Sequence, residues 1–349
     1  MQAAEWADLP GWTTDDPAPA FAAFLASCRV LEKRDLWQPV CAAARKVDGS
    51  APAVLRAWFE TWLRPWAMVN PDGSRTGLIT GYYEPILQGS RKKSRQYPNP
   101  VFGPPDDLIT VDLASLYPEL KNLRLRGRLE GKKLVPYYDR AEWQKQESKR
   151  SLKAVAWVAD AIDLFFMQIQ GSGQIELEDG SRIRLGYADQ NGHPYRSIGR
   201  WLIDQNELAS DQASMQGIKN WAQANPQRLD EMLNKNPSLV FFRELPMTGS
   251  GPLGAMGLPL TPQRSLAVDP RYVPLGAPVW IATTEPNSEQ ALTRLMLAQD
   301  TGGAIRGAVR ADFYWGSGPD AGSLAGKMRQ SGRIWVLLPQ AYQPPDAPN

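Results

Sequence analysis

Between Ala18 and Trp66 apolar residues recur at intervals of three and four, as in Ala20-Phe-Ala-Ala-Phe-Leu-Ala-Ser-Cys28 and Ala53-Val-Leu-Arg-Ala-Trp-Phe59. This spacing puts them on one face of a helix and predicts a helical N-terminal section. Asp15-Asp16-Pro17 supplies a start signal, and Asn70-Pro71-Asp72-Gly73 closes the section with turn chemistry. Trp58, Trp62 and Trp66 fall at the same helical spacing and are assigned to the core.

The pattern then changes to short apolar runs divided by glycine and proline. Gly77-Leu-Ile-Thr-Gly-Tyr-Tyr83 predicts a strand, broken at Glu84-Pro85 and followed by a basic, proline-rich stretch from Arg91 to Pro105. From Leu108 to Leu185 short strands are expected to alternate with turns. Val155-Ala-Trp-Val158 and Leu164-Phe-Phe-Met-Gln-Ile-Gln170 are the most apolar, and Gln174 to Leu185 predicts a hairpin turning at Asp179-Gly180. Helical spacing returns over 198–208 and 210–233, then a strand over 239–242 and a glycine- and proline-rich segment from Thr248 to Pro262. Strands resume from Arg264 to Leu338. The fold class read from this order is mainly β with helices. A discontinuous domain, 1–84 plus 248–349, carries an inserted β domain with helices over 85–247.

Composition narrows the chemistry more than the fold. The 349 residues suit two domains or one large domain with an insertion. A net charge of +2 calls for neither nucleic acid nor an anionic membrane as partner. No apolar run reaches the length of a membrane span, and the start shows no signal-peptide pattern. Cys28 and Cys41 permit a disulfide or two buried thiols. The single histidine, His193, excludes a multi-histidine metal site, and no G-x-S-x-G elbow accompanies it, so no metal or cofactor is expected. His193 stands between Gly192 and Pro194, as a turn histidine bonded to backbone would. Carboxylates remain as the acid–base groups.

Three aspartates in the last third end or interrupt β-like runs: Asp269, Asp300 and Asp312. Such side chains are held rigidly yet face outward, although the same placement also suits turn capping. Gly302-Gly303 after Asp300 lets the chain turn sharply and a ligand approach closely. Gly249-Ser-Gly-Pro-Leu-Gly254 fits G-x-G-x-x-G in form, but no helix is predicted after it, so a dinucleotide site is excluded.

Val268-Asp-Pro-Arg-Tyr-Val-Pro-Leu-Gly276, Gln299-Asp-Thr-Gly-Gly-Ala-Ile-Arg-Gly307 and Ala311-Asp-Phe-Tyr-Trp-Gly316 together resemble the three-aspartate (3D) domain of cell-wall enzymes. Upstream, Thr80-Gly-Tyr-Tyr-Glu-Pro85, Gln168-Ile-Gln-Gly-Ser-Gly173 and Gly186-Tyr-Ala-Asp-Gln-Asn-Gly-His-Pro-Tyr-Arg-Ser-Ile-Gly199 resemble the membrane-bound lytic murein transglycosylase A family, in order and spacing, from about residue 77 to 338. The resemblance implies a double-psi β-barrel domain with a second β-barrel-like domain inserted, glycan lying in the groove between them. It implies cleavage of the β-1,4 bond between N-acetylmuramic acid and N-acetylglucosamine in peptidoglycan strands, the muramic 6-hydroxyl closing on C1. Asp300 falls on the family's catalytic aspartate. Asp312 and Asp269 fall on the other two, the first supporting the chemistry and the second structural. It also implies a periplasmic, outer-membrane lipoprotein that works beside other wall enzymes.

One carboxyl suffices if the nucleophile belongs to the substrate, whereas glycosidases that use water need two. Asp300 must then hold its proton when substrate binds, which an apolar wall of Phe313 or Trp315, or the charge of Asp312, would achieve. The family's motifs carry Thr80, Tyr82, Tyr83 and Glu84 as substrate contacts, one tyrosine stacking on a sugar and its neighbour packing inward. Gln168 and Gln170 are expected to share a strand face toward sugar hydroxyls, with Gly171 and Ser172 leaving the backbone open. Tyr187, Asn191, Tyr195 and Arg196 complete the contacts, Arg196 through a substrate carboxylate or through an internal acid. The basic run from Lys121 to Lys133 is expected to be an exposed hairpin strand, attractive to an anionic wall polymer. The competing readings are a peptidoglycan hydrolase and a non-catalytic glycan-binding or scaffold protein.

Overall fold

A computed structural model of the chain describes residues 1–48, 51–120, 123, 125–147, 152–247, 249 and 251–344. The chain forms two compact units, one of Met1–Tyr83 with Thr248–Asn349, the other of Glu84–Met247.

In the first unit the helices Ala18–Leu31, Gln38–Ala44 and Pro52–Trp62 realise the predicted spacing, burying Phe21, Phe24, Leu55, Trp58 and Phe59. Cys28 and Cys41 form a disulfide that ties the first two helices together. The helical section ends earlier than the spacing predicted. Leu63–Ala67 is a strand pairing Trp66 with Val336, because Pro65 has no N–H to donate and its ring opposes a continuing helix.

Six strands, Gly77–Glu84, Ser265–Val268, Pro278–Thr284, Ala291–Asp300, Arg310–Ser317 and Arg329–Pro339, form a closed ring. Going round, 329–339 pairs with 278–284, then 291–300, 265–268, 310–317 and 77–84, which returns to 329–339. Closure removes every free edge within the ring. Its strands are apolar on both faces, with Leu266, Val279, Trp280, Ile281, Leu295, Leu297 and Val336 all buried. Asp15 fastens the N-terminal segment to it, accepting from both terminal nitrogens of Arg264 at 2.8 and 3.0 Å and from the Leu295 N–H at 2.9 Å.

The second unit holds a six-stranded sheet in the order 240–245, 182–190, 172–176, 86–90, 154–158, 99–102, and a three-stranded sheet of 109–110, 126–130 and 133–136. The predicted hairpin is present, with Gly180 in the left-handed region at its turn. Lys121, Asn122 and Arg124 of the basic run lie outside the described residues.

The largest departure from the sequence reading is Leu164–Gln170, expected as a strand and found within the helix Ala161–Gln170. Asp160 caps its start, accepting from the N–H groups of Ile162 and Asp163, and Gly171 ends it at φ 77°. Leu164 and Met167 pack into the core beneath the six-stranded sheet, while Ile162, Phe165 and Phe166 pack with Leu202, Trp221 and Met232. A helix buried on two sides loses its polar stripe, so its sequence reads as a continuous apolar run, which period alone does not separate from a buried strand.

Candidate active site

The ring's irregularity sits at Asp300. Leu266 faces Ala298 across the ladder but Ala267 faces Asp300, so Gln299 is an extra residue, a bulge. The Gln299 side chain is fully buried, donating to the Ala23 carbonyl at 3.2 Å and to Ser27 Oγ at 3.0 Å, and accepting from Ser265 Oγ at 2.6 Å. With Gln299 fixed inward, Asp300 emerges at the strand end, partly buried. Its Oδ1 accepts from the backbone N–H of Thr301 at 2.8 Å and of Ala255 at 3.0 Å, and its Oδ2 from the Tyr82 hydroxyl at 3.1 Å. Gly254 makes the Ala255 contact possible, since a side chain there would meet the Gln299 carbonyl at 2.6 Å.

These three donors favour the ionised carboxylate, yet burial outweighs them. The Asp300 carboxyl is pushed up from 3.8 to about 6, chiefly by desolvation and further by the negative charge of Asp312. Asp312 is raised too, by burial, against the opposing effects of its hydrogen bond from Thr80 Oγ1 at 2.5 Å and of the Arg310 charge. Tyr82 is held neutral, its phenol raised well above 10 by burial and by the two carboxylates. The site thus combines a carboxyl titrating near neutrality with a second, also reluctant to ionise, and a phenol that donates to the first.

The apolar surroundings differ from those expected. Strand alternation puts Asp312 and Tyr314 on one face of 310–317 and Phe313 with Trp315 on the other, where their ring centroids lie 4.5 Å apart. Phe313 and Trp315 are therefore core residues on the far face, not the wall over Asp300. That wall is a buried cluster of Tyr82, Leu260, Ala267, Ile305 and Tyr314, with the Tyr82 and Tyr314 centroids 5.2 Å apart. Tyr314 was legible in hindsight, two positions after Asp312. The backbone N–H of Ala255 had no side-chain signal to reveal it.

Asp269 has a different environment. It is fully buried at the end of 265–268, and Arg271 grips both its oxygens, Nε at 3.0 and 3.2 Å and Nη2 at 2.6 Å. The Gly307 N–H adds a bond at 2.9 Å. Burial opposes ionisation, but these donors and the Arg271 charge hold the carboxyl down at about 2. Asp269 stays charged and ties the loop after Asp300 to its neighbouring strand. Gly302 and Gly303 lie in that loop, Gly303 exposed.

Of the adjacent tyrosines, Tyr82 turns to Asp300 and Tyr83 packs against Gly322, and both are buried, so neither presents a face for stacking. Thr80 is engaged with Asp312. Glu84 is fully buried in the second unit, accepting from Arg184 Nε at 2.8 Å and Gln174 Nε2 at 2.7 Å; it is an internal counter-ion rather than a sugar contact.

In the second unit Gln168 and Gln170 do not share a face, because two helical positions are about 200° apart. Gln168 Oε1 accepts from Arg140 Nη2 at 2.6 Å, and Gly171 and Ser172 follow at the helix end and strand start. Asn191 is buried and structural, donating to the carbonyls of Tyr138 and Pro237 and accepting from the Leu239 N–H. His193 Nε2 lies 2.7 Å from the Tyr137 carbonyl. Tyr187 is half-buried, while Tyr195 and Arg196 are exposed.

A raised carboxyl at the end of a closed ring of strands, held by three hydrogen-bond donors, is placed as a general acid and base would be. Residues 78–243 match the MltA specific insert domain and residues 264–338 the 3D domain. Membrane-bound lytic murein transglycosylase A of Escherichia coli K12 is 34% identical over 281 residues, covering 78% of this chain and 68% of that protein. The crystal structure of MltA from Neisseria gonorrhoeae superposes with a TM-score of 0.87 at 39% identity, over 99% of this chain and 94% of that one. E. coli MltA with bound chitohexaose superposes at 0.68 and 30% identity, over 93% and 90%. The chain belongs to the membrane-bound lytic murein transglycosylase A family, peptidoglycan-cleaving lyases with a 3D domain.

Proposed function

We propose that the chain cleaves the β-1,4 bond between N-acetylmuramic acid and N-acetylglucosamine without water, Asp300 serving first as acid and then as base. The Asp300 carboxyl, at about 6, carries this reading. A group so placed keeps roughly a tenth of its molecules protonated at pH 7, yet is basic enough once ionised to take a proton back. The proton passes from Asp300 to the leaving oxygen as the C1–O4 bond breaks. The substrate's 6-hydroxyl then bonds to C1 and returns its proton to Asp300, giving the 1,6-anhydro sugar. Atoms balance with no water and no second catalytic carboxylate. Asp312 raises Asp300 electrostatically, Tyr82 orients it, and Asp269 braces the loop that carries Gly302 and Gly303.

In the same reading the six-stranded ring is the double-psi barrel of the 3D domain. Gln168, Gly171, Ser172, Tyr187, Tyr195 and Arg196 of the inserted unit contact the glycan, as the chitohexaose complex of the E. coli relative encourages. The relatives' membrane-bound character supports a periplasmic, membrane-associated location facing the wall. Among the described residues no helix is long and apolar enough to cross a membrane.

Digestion of purified sacculi followed by mass spectrometry tests the chemistry. Anhydro-muropeptides are expected, and Asp300→Asn should reduce their release by about a hundredfold or more, the usual weight of a general acid. Reducing-end products would indicate a hydrolase. Unchanged cleavage by the variant would remove Asp300 from the mechanism.

A further inference from the structure

Arg140 opens the helix Arg140–Glu147 of the second unit, and among the described residues no acid partners its guanidinium. Its Nε donates to the Asn236 carbonyl at 3.1 Å, and its Nη2 to the Ser238 carbonyl and to Gln168 Oε1, both at 2.6 Å. The Phe165 ring lies 4.9 Å from the guanidinium carbon. Burial lowers the group from 12.5 to about 9, so it keeps its charge at neutral pH at a cost in solvation. A desolvated cation held only by neutral acceptors is a costly way to tie a loop. The tie also reaches far. The Arg140 N–H donates to the Pro237 carbonyl at 3.1 Å, Asn191 Nδ2 to the same carbonyl at 2.8 Å, and the Arg196 N–H to Asn236 Oδ1 at 3.1 Å. Residues 236–238 thus join Arg140 to Asn191 and Arg196, and Arg140 joins all of them to Gln168.

The bond to Gln168 has a direction. A guanidinium carries donors and no acceptor, so the amide atom facing it must be the oxygen, and the amide nitrogen must point away. A charged donor on Oε1 also draws electron density toward the oxygen and strengthens the amide N–H groups as donors. Among the described residues Gln168 Nε2 meets no acceptor, and the side chain is partly exposed. The surface beside it is open, since a side chain on Gly171, one turn further, would meet nothing within 4 Å. A sugar hydroxyl can donate or accept and would suit either end of an amide. The carbonyl oxygen of an N-acetyl group only accepts, and both sugars of the strand carry one. Building on the reading that this unit contacts the glycan, we propose that Arg140 is a positioning residue that holds Gln168 as an obligate donor, and that Gln168 Nε2 binds the carbonyl oxygen of a sugar N-acetyl group. The pair thereby selects acetylated strands over de-acetylated ones, whose ammonium groups would face a donor.

Titration calorimetry of the 349-residue chain with chitohexaose and with its fully de-N-acetylated counterpart, hexaglucosamine, tests this. The parent is expected to favour chitohexaose. Gln168→Leu should weaken chitohexaose binding by about fivefold to tenfold, the weight of one hydrogen bond, and hardly touch hexaglucosamine. Gln168→Glu still accepts from Arg140 but turns an acceptor outward, so the preference should shrink further or reverse toward the ammonium-bearing ligand. Arg140→Lys keeps the charge and loses the fork, which frees the amide to rotate. Its preference should fall by a similar factor, and its KM on sacculi should rise more than its kcat falls. Chitohexaose binding unchanged by Gln168→Leu would overturn the reading that Gln168 contacts glycan, and this proposal with it. Both ligands weakened equally by the two Gln168 variants would leave that reading standing and overturn the N-acetyl assignment. A lower melting temperature in Arg140→Lys with the preference intact would overturn the positioning role and make Arg140 a structural tie.

Discussion

Replacing Asp300 by asparagine should stabilise the fold at neutral pH while abolishing its chemistry. The carboxyl is raised from an ordinary 3.8 to about 6, so folding disfavours its charged form by roughly two pH units, about 3 kcal/mol. Below about pH 4 the carboxyl is protonated in both the folded and unfolded chain and the penalty vanishes. Between pH 4 and 6 the folded state holds the extra proton, so parent stability falls as pH rises, and above pH 6 the penalty is complete. Asparagine removes the penalty and keeps the bonds. Its oxygen can accept from Thr301 and Ala255 as Oδ1 does, and its amide nitrogen can donate to the Tyr82 oxygen in place of the reverse bond. Urea unfolding of parent and variant from pH 4 to pH 8 measures the difference, in which other titrating groups largely cancel. The variant's advantage should grow from near zero to about 3 kcal/mol, somewhat more if Asp312 also relaxes. A difference that stays flat with pH would refute a raised Asp300, and with it the acid–base reading built on its placement.

Tyr82→Phe deletes a donor to the ionised carboxylate, so the apparent pKa of Asp300 should rise further and the pH–rate profile should shift upward; an unmoved profile would show that the bond has no influence on the reaction. Asp269→Asn loses a carboxylate depressed to about 2. That group adds stability above its unfolded value of 3.8, lost as pH falls through 2, so the variant should be about 2 kcal/mol less stable at pH 7 by urea unfolding, the deficit shrinking below pH 4. Gln299→Leu leaves Ser265, Ser27 and the Ala23 carbonyl without their buried partner and should cost about 2–4 kcal/mol, with kcat falling more than KM rises because Asp300 shifts. Reduction of the Cys28–Cys41 disulfide, which closes a short loop, should lower stability by about 3 kcal/mol while leaving the site's titration unchanged.

The N-terminal helices were legible because their apolar residues face one core and leave a polar stripe, which a period of three to four records. The 174–185 hairpin was legible because Asp179-Gly180 supplies the left-handed turn that two paired strands need. Leu164–Gln170 was not, since burial on two sides erased the stripe that separates helix from strand. That one misreading carried Gln168 and Gln170 onto a common face that the helix denies them. Glu84 was misread for a related reason: its buried partners Gln174 and Arg184 are about a hundred positions away in sequence.

At the carboxylates the division is sharpest. The sequence alone pointed to carboxylates as the acid–base groups, because one histidine and two cysteines leave no multi-histidine or all-cysteine metal site, and the resemblance of the ordered motifs singled out Asp300 among them. It also determined the glycines that allow a close turn. Tertiary structure alone decided the three environments. Asp269 is ionised under Arg271, Asp312 is raised by burial against its bond from Thr80, and Asp300 is lifted toward neutrality by burial beside Tyr82, Tyr314, Leu260 and Ile305, against the opposing donor from Ala255. The reason is physical. A side chain's identity is local, but its pKa is set by desolvation and by groups brought near through the fold, and two of those neighbours, Tyr82 and Thr80, stand more than two hundred residues from the aspartates they bond.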